Sequence, residues 1–254
     1  MTYVADRLAQ MAAPIVPLGL AVSLLLTSGA QAGPTGLKVE PVVLNLEAPT
    51  AASFVTLHNS DDKDMAVQTR VFRWLERNSA EDLQPASDVA VSPPIATIGP
   101  GEDYTVRVVR VAATPVHGEE AYRLWIDELP DGRRRGAGGL NILIRQSIPV
   151  FFRAQILAAP SLTWSVRQDG GKILIKAENT GDEHMRLVGL QLHDGAGRTV
   201  SFGAGLIGYI LGHASLTFTA PHPPPGFGAV GAIAIDATGN TGKMHATAQL
   251  RAGP

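Results

Sequence analysis

From residue 37 onward the chain alternates short runs of Val, Ile, Leu and aromatic residues with clusters of Gly, Pro and Asp. Nowhere does it hold an apolar period of helical spacing over three turns with caps. The runs fall at 37–46, 53–59, 66–75, 104–111, 121–128 and 140–152. They are separated by Asp61-Asp62-Lys63-Asp64, Pro93-Pro94, Gly99-Pro100-Gly101 and Pro130-Asp131-Gly132. Many short strands joined by such turns point to an all-β fold of sandwich type.

Around 154–161, centred on Ala158-Ala159-Pro160, the composition shifts, and a new series of strands follows at 162–167, 172–178, 185–192, 216–219, 229–235 and 245–250. The second half is richer in Gly and Ala and carries the proline run 221–225, read as a surface loop. The expected architecture is therefore two β-sandwich domains, at 33–153 and 162–254, with a short linker at 154–161 that keeps them closely docked. No internal repeat of fixed period is visible.

The first 32 residues are read as a signal peptide. Arg7 precedes an apolar stretch at 15–26, and Ala30-Gln31-Ala32 supplies the small residues of a cleavage site. The stretch is shorter than the roughly 20 residues a membrane-spanning helix needs. The expectation is a chain exported to the periplasm, cleaved after Ala32, with no stable membrane insertion afterwards.

Composition narrows the chemistry. With no cysteine, disulfides, thiol catalysis and cysteine-ligated zinc are excluded. A net charge of -2 and an aromatic content of 6% give no reason to expect nucleic acid as a partner. His58, His117, His184, His193, His213, His222 and His245 show no metal-ligand spacing, so no metal and no cofactor are expected. No Gly-x-Ser-x-Gly elbow is present, and Gly136 to Gly139 lacks the Lys and Ser/Thr of a phosphate loop. Arg133-Arg134-Arg135 reads as a solvated hairpin connection. These residues give little support to an enzyme.

One strand stands apart. In 140–148, Leu140, Ile142 and Ile144 lie on one face and Asn141, Leu143 and Arg145 on the other. Apolar residues on both faces predict burial on both sides, yet the strand follows an Arg/Gly-rich loop, as a sheet edge would. A long apolar edge is an aggregation hazard unless something pairs with it. Either the second domain covers it, or it is offered to a partner.

An ordered set of short motifs adds to this reading. Ser92-Pro93-Pro94, Gly99-Pro100-Gly101, Val106-Arg107, Tyr122-Arg123-Leu124, Glu128-Leu129-Pro130 and Ile148-Pro149-Val150-Phe151-Phe152-Arg153 together resemble the PapD-like periplasmic chaperones of the chaperone–usher pilus pathway. Asn179-Thr180-Gly181 with His184, and Gly208-Tyr209-Ile210-Leu211, resemble the archaic branch of that family, which serves spore-coat-protein-U-like pilins. The resemblance implies two immunoglobulin-like sandwiches set in an L or boomerang. It also implies donor-strand complementation, in which a first-domain edge strand fills the groove of a pilin that lacks its last strand. The implied partners are pilin subunits and an outer-membrane usher, with no chemistry and no cofactor.

By the same resemblance, Leu140, Ile142 and Ile144 are the donor residues. Family members hold the subunit's terminal carboxylate with two basic residues in the cleft between domains, at positions that here are Val43 and Pro149. Arg123 and Arg145 are expected as substitutes, because Arg145 shares a strand face with Pro149 and Arg123 lies on the neighbouring strand. An interdomain charge network is expected from Glu119, Arg153 and Asp236. The alternatives are a secreted two-domain immunoglobulin-like adhesion or structural module, whose edge would be capped within the chain, and a secreted hydrolase on a β scaffold.

Overall fold

The computed structural model describes residues 36–130, 142–220, 222–229 and 231–252. Every regular element among them is a strand. In the first half, β1 (Leu37–Glu40), β3 (Ala52–Asn59), β8 (Asp103–Arg110) and β6 (Val89–Ser92) form one sheet in the order β1-β3-β8-β6. The facing sheet has the order β2-β10-β9-β4-β5, built from β2 (Leu44–Glu47), β10 (Arg145–Arg153), β9 (Glu119–Glu128), β4 (Met65–Arg77) and β5 (Ala80–Pro85). A short strand, β7 (Ile95–Ile98), adds to β4.

The inner faces alternate as a half-buried strand should. Val55, Leu57, Val106, Val108, Leu124, Ile126, Val150 and Phe152 are fully enclosed between the two sheets. The predicted strand at 37–46 is in fact two strands in different sheets, broken at Pro41-Val42-Val43. Pro41 has no N–H to give to a ladder, so the break comes where pairing would fail. β5 carries no apolar alternation and was not predicted. It exists because Asn78 and Ser79 both take positive φ, 54° and 61°, in a two-residue turn that pairs Arg77 with Ala80.

The second half repeats the plan. One sheet has the order β16-β12-β11-β19, from β11 (Leu162–Asp169), β12 (Lys172–Asn179), β16 (Ser215–Ala220) and β19 (Leu250–Ala252). Its partner has the order β14-β13-β17-β18, from β13 (Met185–His193), β14 (Thr199–Ser201), β17 (Ile233–Gly239) and β18 (Gly242–Ala248), with β15 (Leu206–Ile210) on β13. Ile173, Ile175, Leu187, Leu190, Leu192 and Ile233 form its core.

Each sandwich pins a loop with a buried asparagine. Asn59 donates to the carbonyls of Lys63, Ile98 and Gly99 and accepts from the Asp61 amide. Asn179 donates to the carbonyls of Glu183 and Ile210 and accepts from the amides of Ser161 and Gly181.

A third, smaller core joins the two sandwiches. Trp74, Ala121 and Phe151 lie on the outer face of β4, β9 and β10, and they meet Tyr209 and Leu211 at the end of β15. The Trp74 and Tyr209 rings meet edge-on at 5.7 Å, and Phe151 stacks on His184 at 3.7 Å.

Candidate functional site

The two halves of β10 are partnered differently. Val150–Arg153 lies between β2 and β9, whereas Arg145–Pro149 pairs with β9 alone. The Glu128 amide extends that ladder by one bond to the Ile144 carbonyl, 3.1 Å away. On the other edge, no described strand pairs with 144–149. Backbone groups along an edge without a described strand beside it are the kind that pair with another chain.

Ile142, Leu143 and Ile144 precede β10 and are exposed at 69%, 46% and 45%. Leu140 lies outside the described residues. The expected burial on both faces of 140–148 thus needs correction. It begins only at Ile148, where the inner face meets the first core and Phe151 reaches the second sandwich.

The open edge leads into a cleft of about 630 Å³ between the sandwiches. Val43, Ile148 and Pro149 line it from one side, and Leu206 and Tyr209 from the other. Among the described residues three arginines reach it, and two are already committed. Arg123 donates to Glu81 at 2.7 Å and lies 3.6 Å over the Trp74 ring, while Arg153 bonds Glu183 at 2.6 Å and Glu47 at 3.3 Å. The third is Arg186 of β13. Its backbone N–H is taken by Asn240, and its guanidinium makes no hydrogen bond or ion pair with any described residue. Arg123 lies 5.7 Å from the Tyr209 ring centre and Arg186 pairs with Tyr209 across the β13–β15 ladder; burial raises the Tyr209 hydroxyl's pKa, and these two charges offset the rise only in part.

Of the two arginines expected near Pro149, the structure places one there. Arg123 stands directly opposite Pro149 across the ladder, but Arg145 stands opposite Asp127. The two sites are four residues apart, about 13 Å along a strand. Arg145 bonds the Asp127 carboxylate and stacks 3.8 Å over Trp125, on a face that does not line the cleft. Burial pushes Asp127 up, but the hydrogen bonds from Arg145 and Arg70 outweigh it and hold the carboxyl below its ordinary range. Arg186 was not singled out from sequence. It is one exposed basic residue on a strand, and only the docking of the second sandwich turns it towards β10.

The expected charge network is also corrected. Arg153 and Glu119 both reach the seam, but their partners there are Glu183 and His184. Asp236 lies on β17, where its carboxylate bonds His245 and sits 3.3 Å from His193. The second sandwich's seam partners, Glu183 and His184, come instead from the segment before β13, whose position the sequence pattern does not disclose. Among the described residues no group of three or more His, Asp or Glu is placed to hold a metal ion, and no helix is long and apolar enough to cross a membrane.

Two docked sandwiches, with an open strand edge running into the cleft between them, define a two-domain immunoglobulin-like fold. Residues 36–158 match the family model described as "Pili and flagellar-assembly chaperone, PapD N-terminal domain", so the first sandwich resembles that domain and the chain resembles PapD-like pilus chaperones.

Solved structures agree on the fold. The chaperone–tip adhesion subunit pre-assembly complex CsuC–CsuE, from archaic Csu pili of Acinetobacter baumannii, matches with a TM-score of 0.64 at 24% identity, covering 85% of this chain and 100% of that one. The Salmonella enterica SafA pilin–SafB chaperone complex matches at 0.58 and 20% identity, covering 85% and 97%. The Escherichia coli chaperone DraB matches at 0.55 and 17%, with the same coverage. No curated protein matches the sequence.

Proposed function

We propose that the protein is a periplasmic chaperone that binds and stabilises pilus subunits by donor-strand complementation and passes them to an outer-membrane usher. The leader-like segment 1–32 supports export, and 33–153 and 162–254 act as the two domains. The observation that carries the reading is the half-open edge of β10, which continues into the exposed residues Ile142, Leu143 and Ile144.

A subunit with an incomplete sheet gains main-chain hydrogen bonds from that edge and buries alternate side chains in its groove. Each isoleucine, if fully buried, contributes about 1.5–3 kcal/mol. The cleft at the end of the edge holds a cation with no counter-ion among the described residues, Arg186, which suits a carboxylate at the subunit's chain end. The adhesion-module alternative expects the edge to be capped within the chain, and no described strand caps it.

Co-expression with the cognate pilin tests the proposal. Wild-type protein should co-purify with the pilin one-to-one. Ile142→Asp/Ile144→Asp should keep its own melting temperature, since both side chains are exposed, and lose the pilin. A double variant that still protects the pilin from degradation sinks the donor-edge assignment.

A further inference from the structure

Glu76 extends the face of β4 that carries Trp74, at the point where the first sandwich meets the second. One carboxyl oxygen, Oε2, accepts the backbone N–H of Leu211 at 3.1 Å. The other, Oε1, is sealed from solvent without a hydrogen-bond partner among the described residues, as is the neighbouring Trp74 indole N–H. An ionised carboxyl in such a place needs several donors, and this one has a single amide.

Its surroundings give the charge little further relief, and none of it through a hydrogen bond from a described residue. Directly across the ladder stands Glu81, a like charge. On its own strand, Arg73 is bonded to Asp88 and Arg77 lies 3.6 Å from Asp82. On the adjoining strands, Arg123 is held by Glu81 and Glu119 faces His184. From the second sandwich, His213 is bonded to Asp182. Burial raises the Glu76 carboxyl, the Leu211 amide lowers it, Glu81 raises it and Arg123 lowers it, with a net result of about 7.

We propose that Glu76 is a proton-operated latch between the two sandwiches, clamping Leu211 as the neutral acid and loosening the seam as the carboxylate. Opening the seam would let water reach both oxygens, so ionisation favours the open arrangement. Because this carboxyl binds its proton more tightly in the closed state, its contribution is fully present below the ordinary value of 4.5. It is lost as pH rises to about 7 and changes no further above that. The gap corresponds to a change on the order of a hundredfold in the closing equilibrium. The seam also sets the cleft, because Arg123 and Tyr209 belong to both. The latch therefore tunes the geometry that a bound partner meets.

Hydrogen exchange of the 206–214 amides in the full chain, normalised to intrinsic rates between pH 5 and pH 8.5, tests the latch independently of any pilin. Wild-type protection at Leu211 should fall tenfold or more across the range. Glu76→Gln, which keeps an acceptor and cannot ionise, should stay protected throughout. Glu81→Gln removes the facing charge and frees Arg123, so it should move the midpoint to lower pH. Three results would each overturn the latch: flat wild-type protection, an unchanged pH profile in Glu76→Gln, or an unmoved midpoint in Glu81→Gln.

Discussion

Glu119 of the first sandwich receives both the backbone N–H and the imidazole Nδ1 of His184 in the second, at 3.0 and 2.9 Å. Its side chain is 3% exposed, and the imidazole it holds is stacked face to face on Phe151. This polar contact fixes the aromatic seam in one orientation, because the ring cannot slide along Phe151 without abandoning the carboxylate. Arg153 works beside it, bridging Glu183 and Glu47 at the rim.

Glu119→Ala should therefore destabilise the protein by about 1–3 kcal/mol, the usual cost of leaving buried donors without an acceptor. Arg153→Ala, at a partly exposed pair, should cost about 1 kcal/mol or less. Asp236→Ala, whose partners lie on the outer face of its own sandwich, should be close to silent. Urea midpoints of the three variants check the order. A loss in Asp236→Ala that matched Glu119→Ala would restore the network expected from sequence.

The contrast between Glu119 and Asp236 shows what was legible in the sequence. Strand periodicity is local, so β3, β8, β9 and β12 could be read from single runs of residues. The polar strand β5 could not, because a hairpin turn and its neighbour β4 hold it in place rather than its own pattern. Among the motifs, Asn179, Gly181, His184, Tyr209 and Leu211 all lie at the seam or at its support. Their packing was invisible in sequence, because it depends on which face of β10 the second sandwich covers. Arg186 and Glu183 were missed for the same reason.

The two buried asparagines predict a matched pair of losses. Asn179→Leu would strand the amides of Ser161 and Gly181 and the carbonyls of Glu183 and Ile210. Asn59→Leu would do the same around Asp61, Lys63 and Ile98. Each should cost about 3 kcal/mol or more, since several groups lose their partners at once. If either variant unfolds at the wild-type denaturant midpoint, its loop is not held by the asparagine.

Close backbone approach makes two glycines irreplaceable. A Cβ at Gly212 would sit 2.2 Å from the Asp182 carbonyl oxygen, and one at Gly181 would sit 2.1 Å from that of Ala159. Neither obstacle is a flexible side chain, so the backbone itself must move. Gly212→Ala and Gly181→Ala should both lower the melting temperature by several degrees. Gly205→Ala, which meets nothing within 4 Å and has no positive φ, should leave it unchanged. Equal behaviour of all three would refute the steric argument.

The cleft gives the last prediction. Arg123 cannot be removed cleanly, because its loss would free Glu81 and uncover Trp74. Arg145 is spent on Asp127 and Trp125, outside the cleft. Arg186 has no such duties, so Arg186→Ala should leave the protein's own melting temperature unchanged. If a carboxylate at the pilin's chain end binds there, the same substitution should weaken pilin capture about tenfold, roughly 1.4 kcal/mol. Arg145→Ala should leave capture near wild type. A double-mutant cycle separates this contact from a general effect of charge: against a pilin with an amidated C-terminus, Arg186→Ala should cost nothing further. Full affinity in Arg186→Ala, or an equal loss against free and amidated termini, would mean that the open edge of β10 binds without an anchor at Arg186.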